Sequence, residues 1–100
     1  MPGFNIQVSH QLSQENATER LKGFLDKIRE RYQSQVKDLE ELWDGNTLNY
    51  SFKTYGFKIQ GDVNVESETV TMQGDIPFAA VAFKGKIVQS IQDELEKILA

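Results

Sequence analysis

The sequence predicts an α+β fold: an antiparallel five-stranded sheet with two amphipathic helices on one face, in the order β-α-β-β-β-β-α. Three observations predict it. Between Leu48 and Ile76, apolar and polar residues alternate with a period of two, broken only by turn residues. On either side of that block apolar residues recur at helical spacing. The outward strand positions are Asn, Gln, Ser, Thr, Lys, Asp and Glu almost throughout, so one sheet face is expected to be solvated while both helices cover the other.

The first strand is read from Phe4, Ile6 and Val8 alternating with Asn5, Gln7 and Ser9. Ser13 is placed to cap a helix, its hydroxyl accepting from an unpaired first-turn amide, with Leu12 before it to staple onto Ala17. The stripe Ala17, Leu21, Phe24, Leu25, Ile28 and Tyr32 carries that helix to about Gln33. Gly23 inside it costs up to about 1 kcal/mol relative to alanine, so close approach to a neighbouring element is its simplest use.

The acidic stretch from Val36 to Trp43 suits a helix extension by charge. Asp44-Gly45-Asn46 reads as a tight turn, however, and a hairpin there needs a strand on each side, so Lys37 to Trp43 is assigned as the second strand. Leu48, Tyr50 and Phe52 form the third. Tyr55-Gly56 turns the chain into the fourth, whose Phe57, Ile59, Gly61, Val63 and Val65 share one side. After Glu66-Ser67-Glu68, the fifth strand puts Val70, Met72 and Ile76 inward, with Gly74 read as a bulge. Pro77 ends the ladder. Helical spacing returns from about Phe78 through Ala80, Ile87, Ile91, Leu95 and Ile98, with Gly85 as a kink or as the true helix start. Ser90, Gln92, Asp93, Glu94, Glu96 and Lys97 supply the expected wet face. The order of elements matches the plan of TATA-binding-protein-like folds, with a small helix-grip as a near relative.

At 100 residues and 39% hydrophobic, the chain fits one domain, residues 1–100. A net charge of −4 speaks against a generic nucleic-acid binder and against attraction to anionic head groups. Without cysteine, thiolate catalysis, disulfides and thiolate metal sites are excluded. The opening Met1 to Gln7 has neither a basic segment nor an apolar run, so no signal peptide is read there. The longest apolar run, Ile76 to Phe83, falls far short of the roughly 18 residues a membrane span needs. The expected location is the cytoplasm.

No catalytic, cofactor or metal site is expected. His10 is the one histidine and the one natural near-neutral base, a candidate polar site; alone and without cysteine it builds no zinc cluster, and a loop hydrogen bond is its simplest role. The carboxylates fall on predicted wet faces, and no nucleophile elbow, phosphate loop or dinucleotide fingerprint occurs. Phe78-Ala79-Ala80-Val81-Ala82-Phe83 is apolar nearly all round. It is either the core-facing lead-in to the last helix or an exposed apolar edge for a partner, in which case Phe78, Val81 and Phe83 carry the contact.

One ordered set of features carries a family likeness. His10-x-Leu12 precedes the first helix, which bears Ala17 and Arg20. Trp43-x-Gly45-x-x-Leu48 marks the hairpin, Gly56 to Gly61 a strand, and Ile76-Pro77 with Phe83-x-Gly85-x-Ile87 the approach to the final helix. The set resembles the bacterial polyhydroxyalkanoic acid system protein family, although Gln33 to Leu42 is longer and more acidic than the family pattern. The resemblance implies a small cytoplasmic protein tied to storage-polyester granules or metabolism, and it supplies no catalytic residues.

Three functions follow. The first is a non-enzymatic accessory or interaction domain, meeting granule-associated proteins as a monomer or weak homodimer. The second is a carrier holding an acyl or lipid ligand between the long helix and the sheet, which calls for an apolar cavity above about 300 Å3. The third is an enzyme using His10.

Overall fold

A computed structural model describes residues 3–100; Met1 and Pro2, which open the segment read above for a signal peptide, lie outside the described residues. The elements are β1 (Gly3–Ser9), α1 (Gln14–Lys22), α2 (Phe24–Arg31), β2 (Val36–Asp44), β3 (Thr47–Thr54), β4 (Phe57–Val65), β5 (Thr69–Asp75), a 3-10 helix (Phe78–Phe83) and α3 (Lys84–Leu99). The five strands form one antiparallel sheet in the order β1-β5-β4-β3-β2. The first helix carries the chain from one sheet edge to the other, and the meander brings it back beside β1.

Alternation decides the faces. Phe4, Ile6, Val8, Leu48, Tyr50, Phe52, Ile59, Val63, Val65, Val70 and Met72 are all buried, and they meet the buried stripes Ala17, Leu21, Phe24, Leu25 and Ile28 and Ile87, Ile91, Leu95 and Ile98. The expected α+β architecture therefore holds. Ser13 caps α1 as read, its Oγ accepting from the Asn16 N–H at 3.0 Å. Arg20 Nη1 donates to the carbonyl oxygens of Ile98 (3.0 Å) and Ala100 (2.8 Å), placing a cation on the C-terminal pole of α3.

Several details differ from expectation. The first helix is interrupted at Gly23 and ends at Arg31 instead of Gln33. A Cβ on Gly23 would find only the Arg20 carbonyl oxygen, at 3.9 Å, so the glycine marks a joint between helical segments and no close approach. The register of β5 runs through Gly74 unbroken, so no bulge lies there. Gly74 instead faces Gly61 across the ladder. A Cβ on Gly61 would fall 1.9 Å from the Gln73 carbonyl oxygen, and one on Gly74 would fall 2.5 Å from the Phe4 ring. The pair leaves a hollow in the inner face that two aromatic rings, Phe4 and Tyr50, fill.

The bulge is in β2. Lys37 faces Lys53 and Glu40 faces Ser51, so Asp38 and Leu39 together oppose Phe52, and Asp38 sits at φ 52°. The extra residue reverses the alternation beyond it. Trp43 turns inward and Leu42 turns outward, where it is 68% exposed. Glu94 also departs from expectation. It is buried at the margin of the α3 stripe, where Arg31 from α2 pairs with its Oε1 and Lys97 Nζ approaches at 3.8 Å.

Candidate docking tip and pocket

The chain leaves β5 through Ile76-Pro77, and the following six residues form a 3-10 helix instead of the first turns of α3, which starts at Lys84 with Gly85 inside its first turn. Of the two readings of this segment, the core-facing lead-in fails. Only Ala80 is buried, whereas Phe78, Val81 and Phe83 are 75%, 44% and 38% exposed. A short 3-10 turn has i, i+3 side chains eclipsed, so Ala80 and Phe83 share one side while Phe78 and Val81 share another. That geometry sends an apolar pair into water.

Phe83 is held by aromatic neighbours at the β3–β4 turn. Its ring stacks on Tyr55 at 4.9 Å and meets Phe57 at 6.2 Å. Tyr55 and Gly56 are both at positive φ, 53° and 80°, as a type I′ turn requires, so a tyrosine occupies a place that usually takes asparagine, aspartate or glycine. Lys86 Nζ stands 5.7 Å from the centre of the Tyr55 ring. The sequence reading named Phe78, Val81 and Phe83 but not Tyr55 or Phe57, because the 3-10 turn that brings them together leaves no periodic signature.

Lysines flank this tip. Lys37, Lys53 and Lys58 are register partners in one row of the solvated face, directly behind the turn, and all three are exposed. Lys53 pairs with exposed Asp38 at 3.4 Å. Lys84 and Lys86 stand on the helix side. A chain of net charge −4 thus concentrates five of its eleven basic residues at one end.

Behind the tip lies a cavity of about 160 Å3. Its walls come from α2 (Phe24, Leu25, Ile28), the start of β2 (Val36, Leu39), β3 and β5 (Phe52, Met72) and the first half of α3 (Ile87, Ile91); Thr54, Tyr55, Lys86, Ser90, Tyr32 and Gln35 add polar atoms. It lies between the long helix and the sheet, as the carrier reading requires, at about half the volume that reading calls for.

His10 is elsewhere, in the β1–α1 loop, and buried. Its Nε2–H donates to the Glu66 carbonyl oxygen at 3.0 Å, and its Nδ1 accepts from the Leu12 N–H at 3.1 Å. Nε2 ties the loop to the β4–β5 turn while Nδ1 fixes the loop on itself, and the partners select the Nε2-protonated tautomer. Among the described residues no group of three or more metal-ligating side chains gathers. Among the described residues two groups are shifted by their surroundings, both on the helix-covered side of the sheet. Burial, then Asp62 and Asp75, push the Tyr50 phenol up. Partial burial, then Asp26, raise the Glu41 carboxyl, while Arg29 opposes.

A family model described as "Putative polyhydroxyalkanoic acid system protein" matches residues 4–99. The chain belongs to this family. The polyhydroxyalkanoic acid system match spans β1 through α3 and so takes in both the tip and the pocket. A search of curated proteins returns no match. A solved structural-genomics protein from Nitrosospira multiformis superposes with a TM-score of 0.55 at 12% identity, covering 99% of this chain and 97% of that one. At that identity the likeness is one of fold alone. A protein from Thermus thermophilus gives a TM-score of 0.40 at 14% identity, over 98% of this chain and 92% of that one. No helix among the described residues is long and apolar enough to cross a membrane.

Proposed function

We propose that this chain is a non-enzymatic accessory protein of the polyhydroxyalkanoic acid system, working in the cytoplasm by docking its aromatic tip onto an acidic, apolar segment of a granule-associated protein. One observation carries the reading: Phe78 and Val81 stand in water on a turn whose geometry keeps them there, although the core has other side chains to fill it. Exposed apolar residues in a cluster mark interaction surfaces. The charge around them selects the partner. Like charges directly opposite one another weaken a sheet, yet Lys37, Lys53 and Lys58 line up across three strands beside the tip. Asp38 offsets Lys53, but Lys37 and Lys58 have no ion pair among the described residues, and a feature that lowers stability locally is expected at a functional place. An acidic partner relieves it.

The test is co-sedimentation with storage-polyester granules from the source cell. Wild-type chain is expected to pellet with native granules, Phe78→Ser/Val81→Ser to bind at least tenfold more weakly, and protease-shaved granules to lose binding. Equal binding by the double variant removes the tip from the account. Undiminished binding to shaved granules replaces the protein partner with the polyester surface.

A further inference from the structure

The pocket behind the tip has a use that docking does not require. We propose that it binds a short-chain monocarboxylic acid of about five or six carbons, with the tail among Phe24, Ile28, Leu39 and Met72 and the carboxylate on Lys86 at the mouth.

Size comes first. An apolar cavity of about 150 Å3 accepts a molecule of six carbon atoms such as benzene, and this one measures about 160 Å3. A twelve-carbon chain does not fit. Polarity comes second. Phe24, Ile28 and Met72 are buried apolar side chains, and a lining that is mostly apolar favours hydrocarbon. Such sites take orientation from a few polar groups at one end.

Lys86 is that end. It lines the pocket and its stem is exposed, so its ammonium reaches the mouth. Among the described residues it forms no ion pair, a state it shares with Lys27, Lys37, Lys58 and Lys84, and of these five it alone lines the pocket. Ser90, half-buried one turn further along α3, also lines the cavity and offers a hydroxyl on the same side. Tyr55, the other wall of the mouth, is the non-glycine residue held at φ 53° in the turn. A lysine without a carboxylate partner at a mostly apolar pocket of six-carbon size is a match for a short carboxylic acid.

The inference is independent of docking and is tested on the full chain by two-dimensional amide NMR titration with hexanoate, hexanol and dodecanoate. Hexanoate is expected to shift amides of Leu39, Ile87 and Ser90, with hexanol at least tenfold weaker. Lys86→Gln is expected to bring hexanoate down to the affinity of hexanol and to leave hexanol unchanged. Ser90→Leu, which fills the cavity, is expected to abolish both. Absence of hexanoate binding, equal binding of hexanoate and hexanol by wild type, or unchanged hexanoate binding by Lys86→Gln overturns the proposal. Dodecanoate bound more tightly than hexanoate overturns the size argument with it.

Discussion

The Tyr50 hydroxyl donates to the Gln73 carbonyl oxygen at 2.7 Å, across the opposed glycines Gly61 and Gly74. The glycines leave room for that carbonyl on the inner face, and the tyrosine satisfies it under the helices. Gly61→Ala is expected to cost about 3 kcal/mol or more, since the new methyl meets a backbone oxygen that cannot move without breaking the ladder. Tyr50→Phe keeps the ring and loses the bond, for about 1 kcal/mol. Urea denaturation of the two variants separates the effects.

Arg31 and Glu94 join α2 to α3, and the carboxylate is the buried partner, with its side chain only 5% exposed. Removing the exposed arginine strands a buried charge that keeps only Lys97 at 3.8 Å. Arg31→Ala is therefore expected to destabilise by about 2 kcal/mol, more than any exposed pair such as Lys22–Glu19, which contributes under about 1 kcal/mol. A double-mutant cycle with Glu94→Gln measures the coupling.

Glu41 sets a pH dependence. Its carboxyl is pushed up by partial burial beside α2 and by Asp26, so in the acid range above the ordinary carboxylate value the folded state holds more protons than the unfolded state. Stability therefore falls as pH rises through that window. Glu41→Gln is expected to be more stable than wild type at pH 7, with the advantage fading below pH 4. Thermal denaturation at the two pH values checks the sign.

Gly23 and Gly85 occupy open space at ordinary φ. Alanine at either position is expected to raise stability, by up to about 1 kcal/mol each, through helix propensity and a less flexible unfolded chain. Denaturant midpoints report it directly.

The legible parts of the fold were those in which local pattern and tertiary role agree. Ile59, Val63 and Val65 alternate cleanly and are buried, and Ser13 caps as its position implies. β2 was harder to read because its bulge at Asp38 and Leu39 reverses the alternation, so Leu42 and Trp43 exchange the faces an unbroken strand would give them. Glu94 looked like solvent charge because its partner, Arg31, is 63 residues distant in sequence. Gly74 reads as a bulge in isolation, and only the opposed Gly61 reveals its purpose. At the tip, Phe78, Val81 and Phe83 were recognisable as apolar but their exposure was not, because a 3-10 helix and an α-helix place the same residues on different sides. Lys53 and Lys58 became neighbours of that tip only through strand register.

The most direct trial of the docking claim is the granule affinity of Phe78→Ser/Val81→Ser beside wild type, once both show the same unfolding free energy to within about 0.5 kcal/mol, as surface changes should. The account predicts a fully folded variant that has lost at least nine-tenths of its binding. A folded variant that stays on the granule as firmly as the parent contradicts it.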